Sequence, residues 1–127
     1  MGAGGSGQGT TGDNQSKLQM RRGTIVRVNL EDQSPPEFGK TRPAVILSNS
    51  EQNLLLPTVV VIPLSTRPPH IWPLRLAVPE INELRPSFAV IPGIRQINKL
   101  RILGTSGHLP EDFMSDLEAA AFAYLGD

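Results

Sequence analysis

The stretch "EFGKTRPAVILS", residues 37–48, decides the fold. Gly39-Lys40-Thr41 is how a nucleotide-binding phosphate loop ends, in which backbone N–H groups wrap the phosphates and a helix N-terminus faces them. That pattern requires a glycine where Ser34 stands, and Pro35 and Pro36 remove two of the N–H donors. Downstream, Pro43 is followed by Ala44-Val45-Ile46-Leu47 instead of a helical pattern. A proline pushes the residue before it out of the helical region, and a run ending in Val-Ile-Leu reads as a strand. The stretch is therefore a loop that presents Arg42 at the mouth of a strand.

Outward from this point the chain reads as β structure. Upstream, Thr24, Val26, Val28 and Leu30 alternate with Ile25, Arg27 and Asn29, the period of a half-buried strand. A loop spans 31–42, strand 44–48 follows, and a polar turn at 49–53 leads to a second buried strand at 58–64. Pro63 there predicts an edge or a bulge. Residues 65–73, STRPPHIWP, read as an irregular loop; short apolar strands follow at 74–78, 87–91 and 94–97. Five or six short strands predict a small twisted barrel or a strongly curled antiparallel sheet. The period changes once, where Pro110, Glu111 and Asp112 open a helix carrying Phe113, Leu117, Ala120, Ala121 and Tyr124 at helical spacing, with Gly126 as its stop. The expectation is a mainly β fold with a C-terminal helix packed on the sheet.

Composition bounds the rest. The 127 residues suit one domain, and the absence of cysteine excludes disulfides and thiolate metal sites. No apolar run has the length of a membrane span, so a soluble, cytoplasmic protein is expected. Residues 1–19 are Gly/Ser/Thr/Gln-rich and read as a disordered tail or an added leader, leaving 20–127 as the domain. Residues 20–110 hold eleven Lys/Arg against six Asp/Glu, while the last seventeen hold five acids and no base. Such a cationic body fits an anionic polymer or an ordinary charged surface. Nine of the twelve basic residues are arginine, whose planar fork meets phosphate with two hydrogen bonds.

No histidine pair has metal-ligand spacing and no Gly-x-Ser-x-Gly elbow exists, so neither a metal nor a cofactor is expected. The chemistry-bearing residues stand instead at strand ends: Arg42 before one strand, Ser65 and Thr66 after the next, and Glu37 in the loop leading to Arg42. If the two strands are neighbours, a guanidinium, a hydroxyl and a carboxylate converge. If they are not, these are unrelated surface residues.

The series "RRGTIVRVNL", "EFGKTRPAVILSNS", "TVVVIPLST" and "IRQINKLRILGTSGHLPEDFMSDLEAA" resembles the MazF/PemK/Kid toxins of type II toxin–antitoxin systems over about residues 21–125, in order and spacing. The resemblance implies an SH3-like barrel of the MazF/PemK/CcdB type with a C-terminal helix and a homodimer. It also implies a sequence-specific, metal-independent endoribonuclease (mRNA interferase) acting on single-stranded RNA, neutralised by an antitoxin whose acidic, flexible tail covers the RNA groove. Carried over by position, the key arginine is Arg42, the catalytic hydroxyl Ser65 and the loop glutamate Glu37; Arg95 matches an arginine that serves catalysis in some members. The chain departs from the family pattern at Asn98 and at Pro92-Gly93, where members carry acids, and lacks the first-loop histidine of some members.

Metal-free RNA cleavage uses the neighbouring 2'-OH as nucleophile; the protein helps remove its proton, stabilises the pentavalent phosphate and protonates the leaving 5'-oxygen. Arginine keeps its protons at neutral pH and serine is a weak acid, so Glu37 takes the base or orienting role, Arg42 the phosphate fork and Ser65 a hydrogen bond to phosphate or to the 2'-OH. Lys40, Thr41, Thr66, Arg67 and Arg75 are expected to bind RNA, with His70 and Trp72 stacking on unpaired bases; a single Trp between Ile71 and Pro73 is more often a core or dimer-interface anchor. The alternative function is that of a non-enzymatic CcdB-like toxin, which shares this fold and poisons DNA gyrase through its C-terminal helix but lacks the Arg-Pro and Ser/Thr pairing.

Overall fold

The computed structural model describes residues 20–30, 41–81 and 84–127. The expected tail at 1–19, and Glu37 and Lys40 in the first loop, lie outside the described residues. The elements run β1 (Thr24–Asn29), β2 (Thr41–Ile46), α1 (Ser50–Leu55), β3 (Thr58–Ser65), β4 (Arg75–Ala77), β5 (Phe88–Val90), β6 (Arg95–Asn98), β7 (Ile102–His108) and α2 (Glu111–Leu125). The seven strands form one antiparallel sheet in the order β4-β5-β3-β2-β1-β7, with β6 on the first half of β3. No ladder joins β7 to β4 or β6 among the described residues, so the sheet is barrel-like without closing.

The sheet has a core on each face, and strand alternation sorts the apolar residues between them. Ile25, Val45, Ile62 and Leu64 face the outer core, where Phe113, Met114, Leu117 and Ala120 of α2 cover them. Val26, Val28, Ala44, Ile46, Val59, Val61 and Ile97 face the inner core inside the curl, closed by Met20. A strand covered on both faces reads as a continuous apolar run, as "AVI" and "TVVVI" do. Each large side chain so buried contributes about 1.5–3 kcal/mol. The half-buried expectation for β1 is corrected accordingly: Ile25 is as buried as Val26, and Arg27 is the exposed residue of the strand.

Several boundaries differ from the sequence reading. β2 starts at Thr41, so Arg42 lies within the strand, because the ladder to β1 continues through Val28↔Arg42 to Asn29↔Thr41. The polar turn at 49–53 is the start of helix α1, whose N-cap Asn49 accepts from the backbone N–H groups of Glu51 (2.8 Å) and Gln52 (3.2 Å) through Oδ1. β7 was not expected, since Gly104, Thr105, Ser106 and Gly107 give no apolar alternation; pairing with β1 imposes the strand from outside. Pro63 lies in a central strand, at the point where β3 exchanges β6 (up to Val61↔Arg95) for β5 (from Leu64↔Ala89), so no ladder needs its missing N–H. Tyr124, read as part of the buried face of α2, is 41% exposed; the packed face ends at Ala121.

Candidate functional site

The β2–β3 ladder runs through Ile46↔Val61 and Val45↔Ile62 to Ala44↔Pro63 and stops. Pro43 is the next residue of β2, and it has no N–H with which to extend the ladder. Beyond it the strands diverge, β3 turning to β5, and a cleft of about 500 Å³ opens between them. Arg42, Ser65, Thr66, Arg67 and Arg75 line it, with Thr41 and Leu30 on one wall and Ser87 on the other. Three guanidinium groups and no carboxylate are among its described lining residues.

Register explains why Arg42 and Ser65 meet. Arg42 is two residues from Ala44 along β2, Ser65 is two residues from Pro63 along β3, and Ala44 and Pro63 are partners, so all four point to one face. Arg95, opposite Val61 on β6, belongs to the same face. Its Nη1 donates to the Leu30 carbonyl at 3.3 Å, which brings it to the back of the cleft wall.

Local hydrogen bonds orient the hydroxyl. Ser65 Oγ accepts from the Arg67 N–H at 3.1 Å, and Arg75 Nη1 donates to the Arg67 carbonyl at 3.2 Å, fixing the loop that leaves β3. With its oxygen engaged by an incoming donor, Ser65 keeps its own proton to donate, which suits an anionic oxygen in the cleft. The arrangement can bind and polarise a phosphodiester. Among the described lining residues none is a carboxylate or histidine that would accept a proton, and Glu37 lies outside the described residues.

His70 and Trp72 stand apart from the cleft lining. His70 Nδ1 accepts from the Ala77 N–H at 3.0 Å, pinning the 65–73 loop to β4 and placing the neutral ring's proton on Nε2. Trp72 is 52% exposed, which removes the core-anchor reading. It sits on a tight turn in which Ile71 and Arg75 exchange backbone hydrogen bonds of 2.8 and 2.6 Å, so its backbone is preset.

The departures from the family pattern have structural employment. Asn98 Oδ1 accepts from Leu100 N–H at 2.8 Å and caps the short 3-10 turn Lys99–Arg101. A Cβ on Gly93 would stand 2.6 Å from Pro63 Cγ, so any side chain there would push the 3-10 turn Ile91–Gly93 away from β3. Among the described residues no three His, Asp or Glu side chains gather as a metal site would require. Sequence reasoning missed Leu30 and Ser87, which line the cleft. A signal for Ser87 existed in its position one residue before the strand that pairs with Ser65.

Comparison with known proteins agrees with this fold. The chain superposes on a mycobacterial endoribonuclease in complex with its cognate antitoxin, at TM-score 0.70 and 23% identity, covering 84% of this chain and 94% of that one. MazF from Deinococcus radiodurans matches at TM-score 0.70 and 20% identity over 84% and 96% of the two chains. A MazE–MazF complex from the same organism matches at 0.69 and 18% over 84% and 95%. No curated protein matches the sequence. Residues 21–124 match the family model of PemK-like, MazF-like toxins of type II toxin–antitoxin systems, a span that holds the whole sheet, the cleft and helix α2 almost to its end, and the chain belongs to that family.

Proposed function

We propose that the protein is an endoribonuclease toxin that cuts single-stranded RNA at the Arg42–Ser65 cleft. The single observation that carries this reading is the composition of the cleft: Arg42, Arg67 and Arg75 beside the hydroxyl residues Thr41, Ser65, Thr66 and Ser87, with no carboxylate among the described residues lining it. Guanidinium forks recognise phosphate, and in a partly enclosed groove their effect on developing negative charge exceeds that in water.

In this mechanism the 2'-oxygen attacks the adjacent phosphorus, the bond from phosphorus to the 5'-oxygen breaks, and the products are a 2',3'-cyclic phosphate and a free 5'-hydroxyl. Arg42 and the Ser65 hydroxyl stabilise the non-bridging oxygens of the pentavalent phosphate. Glu37 takes or orients the 2'-OH proton, and the leaving 5'-oxygen regains one. This chemistry makes no demand on a metal. Arg67, Arg75, Thr41, Thr66 and Lys40 track the flanking phosphates, while Trp72 and His70 offer planar faces to unpaired bases, which gives sequence preference. Arg95 acts through the wall of the cleft.

The reading extends to partners. The mycobacterial and deinococcal neighbours are in complex with antitoxins; here an antitoxin with an acidic, flexible segment would match the three-arginine cleft and exclude RNA from it. A homodimer is the expected form, for which exposed Leu55, Phe122 and Leu125 supply apolar surface.

Primer-extension mapping of cuts in a long RNA, with Arg42→Ala and Ser65→Ala proteins alongside, tests the proposal. Discrete cuts that weaken in both variants and persist in chelator are expected. Intact RNA with the parent protein, or equal cutting by Arg42→Ala, would overturn it.

A further inference from the structure

β1 continues past its partner. The β1–β7 ladder ends at Val28↔Ile102, whereas on the other side β1 stays paired with β2 through Asn29↔Thr41. The carbonyls of Asn29 and Leu30 thus lie beyond the last β7 partner. Two arginines reach them: Arg101 Nη1 donates to the Asn29 carbonyl at 3.1 Å, and Arg95 Nη1 to the Leu30 carbonyl at 3.3 Å. Arg101 is the residue immediately before β7, held by the 3-10 turn that Asn98 caps. Its guanidinium takes up where the β7 backbone leaves off.

The consequence falls on the cleft. Asn29 is the register partner of Thr41, and Leu30, Thr41 and Arg42 form one wall. A ladder end with a partner on one side only frays, and fraying here would move Arg42. We propose that Arg101 is a positioning residue for the cleft, acting through the Asn29 carbonyl to hold the β1–β2 end that aims Arg42, with Arg95 doing the same at Leu30. The inference rests on the ribonuclease reading of the cleft but assigns Arg101 no contact with RNA.

A positioning role and a phosphate-contact role separate kinetically. Displacing a reacting group lowers kcat, whereas loss of a phosphate contact raises KM and flattens its dependence on salt. The test is steady-state cleavage, by the full chain, of a single-stranded RNA oligonucleotide containing a mapped cut site, at several salt concentrations. Parent, Arg101→Ala and Arg101→Lys are compared, with amide hydrogen exchange at Thr41 and Arg42. For Arg101→Ala, kcat is expected to fall on the order of 10- to 100-fold with KM and its salt slope unchanged. Exchange at Thr41 and Arg42 should quicken, and Arg101→Lys, which keeps a donor, should restore part of kcat.

An unchanged kcat overturns the inference, as does a raised KM with a shallower salt slope. Should Arg101→Ala fail to fold, the same split read on Arg101→Lys decides between these outcomes. A parent that cuts no RNA defeats the ribonuclease reading itself; a parent that cuts while Arg101→Ala cuts equally defeats this inference alone.

Discussion

The two ends of the β2–β3 pair carry the same chemistry and use it in opposite ways. Beyond the Ile46 end, Ser48 and Arg22 are consumed by the fold. Ser48 Oγ donates to Asn53 Oδ1 at 2.6 Å and accepts from Val60 N–H at 3.0 Å, while Asn53 Nδ2 donates to the carbonyls of Met20 (2.6 Å) and Ser48 (3.1 Å). Arg22 Nη2 reaches Glu118 Oε1 at 2.7 Å and the Met114 carbonyl at 3.4 Å, tying the entry of β1 to α2. At the Arg42 end, the serine and the arginine face an open cleft, and among the described residues the Arg42 guanidinium makes no hydrogen bond or ion pair. The contrast teaches that residue type does not mark a site. What marks it is whether the polar groups are satisfied internally, and here that is decided by where the β2–β3 ladder ends, at Pro43.

The comparison can be broken by substitution at each end. The largest effect is expected for Arg42→Ala: RNA cleavage falls on the order of 100-fold, about 2.7 kcal/mol of transition-state stabilisation, while the thermal midpoint stays put. If instead the protein unfolds more easily and cleavage per folded molecule is kept, Arg42 belongs with Arg22 as a structural residue. Next comes Asn53→Ala at the sealed end. It leaves the Met20 carbonyl without the buried Asn53 donor and the Ser48 hydroxyl proton without its acceptor, and should cost about 2 kcal/mol in urea unfolding, with little change in activity of the folded fraction.

Gly93→Ala probes the junction between the two ends. Its methyl would collide with the Pro63 ring, and about 1–2 kcal/mol of destabilisation is expected, together with reduced cleavage because Pro63 lines the cleft. Chemical denaturation alongside a cleavage assay reads both. The smallest change is Glu118→Gln. The Arg22–Glu118 pair is partly exposed, with Glu118 40% accessible, so its loss should cost less than about 1 kcal/mol and shrink further in high salt, as thermal melts at two ionic strengths would register. A larger, salt-independent loss would mean that the sealed end is held by charge more than by the Asn53 network.

How far the site was legible follows from where its residues sit. Arg42 and Ser65 were found because each is next to an apolar run whose strand character survives on composition alone, and a hydroxyl or guanidinium at such a boundary is conspicuous. Arg67 and Arg75 were found as cations within a proline-rich loop. Leu30 and Ser87 escaped, since their relation to the cleft depends on cross-strand register. His70 and Trp72 lie in the 65–73 loop that the sequence marks, but only the backbone turn at Ile71–Arg75 and the Ala77 hydrogen bond set how that loop is held.

By itself the sequence determined the β1, β2 and β3 cores, the C-terminal helix and the rejection of a phosphate loop, because proline stereochemistry, apolar run length and helical spacing act over a few neighbouring residues. Only the tertiary structure decided the strand character of the glycine-rich 102–108 segment, the helix at Ser50–Leu55, the burial of β1 on both faces, and the meeting of Arg42 with Ser65. Those outcomes depend on pairing between segments far apart in the chain, where a partner strand supplies hydrogen bonds and a second core supplies cover that no local pattern records.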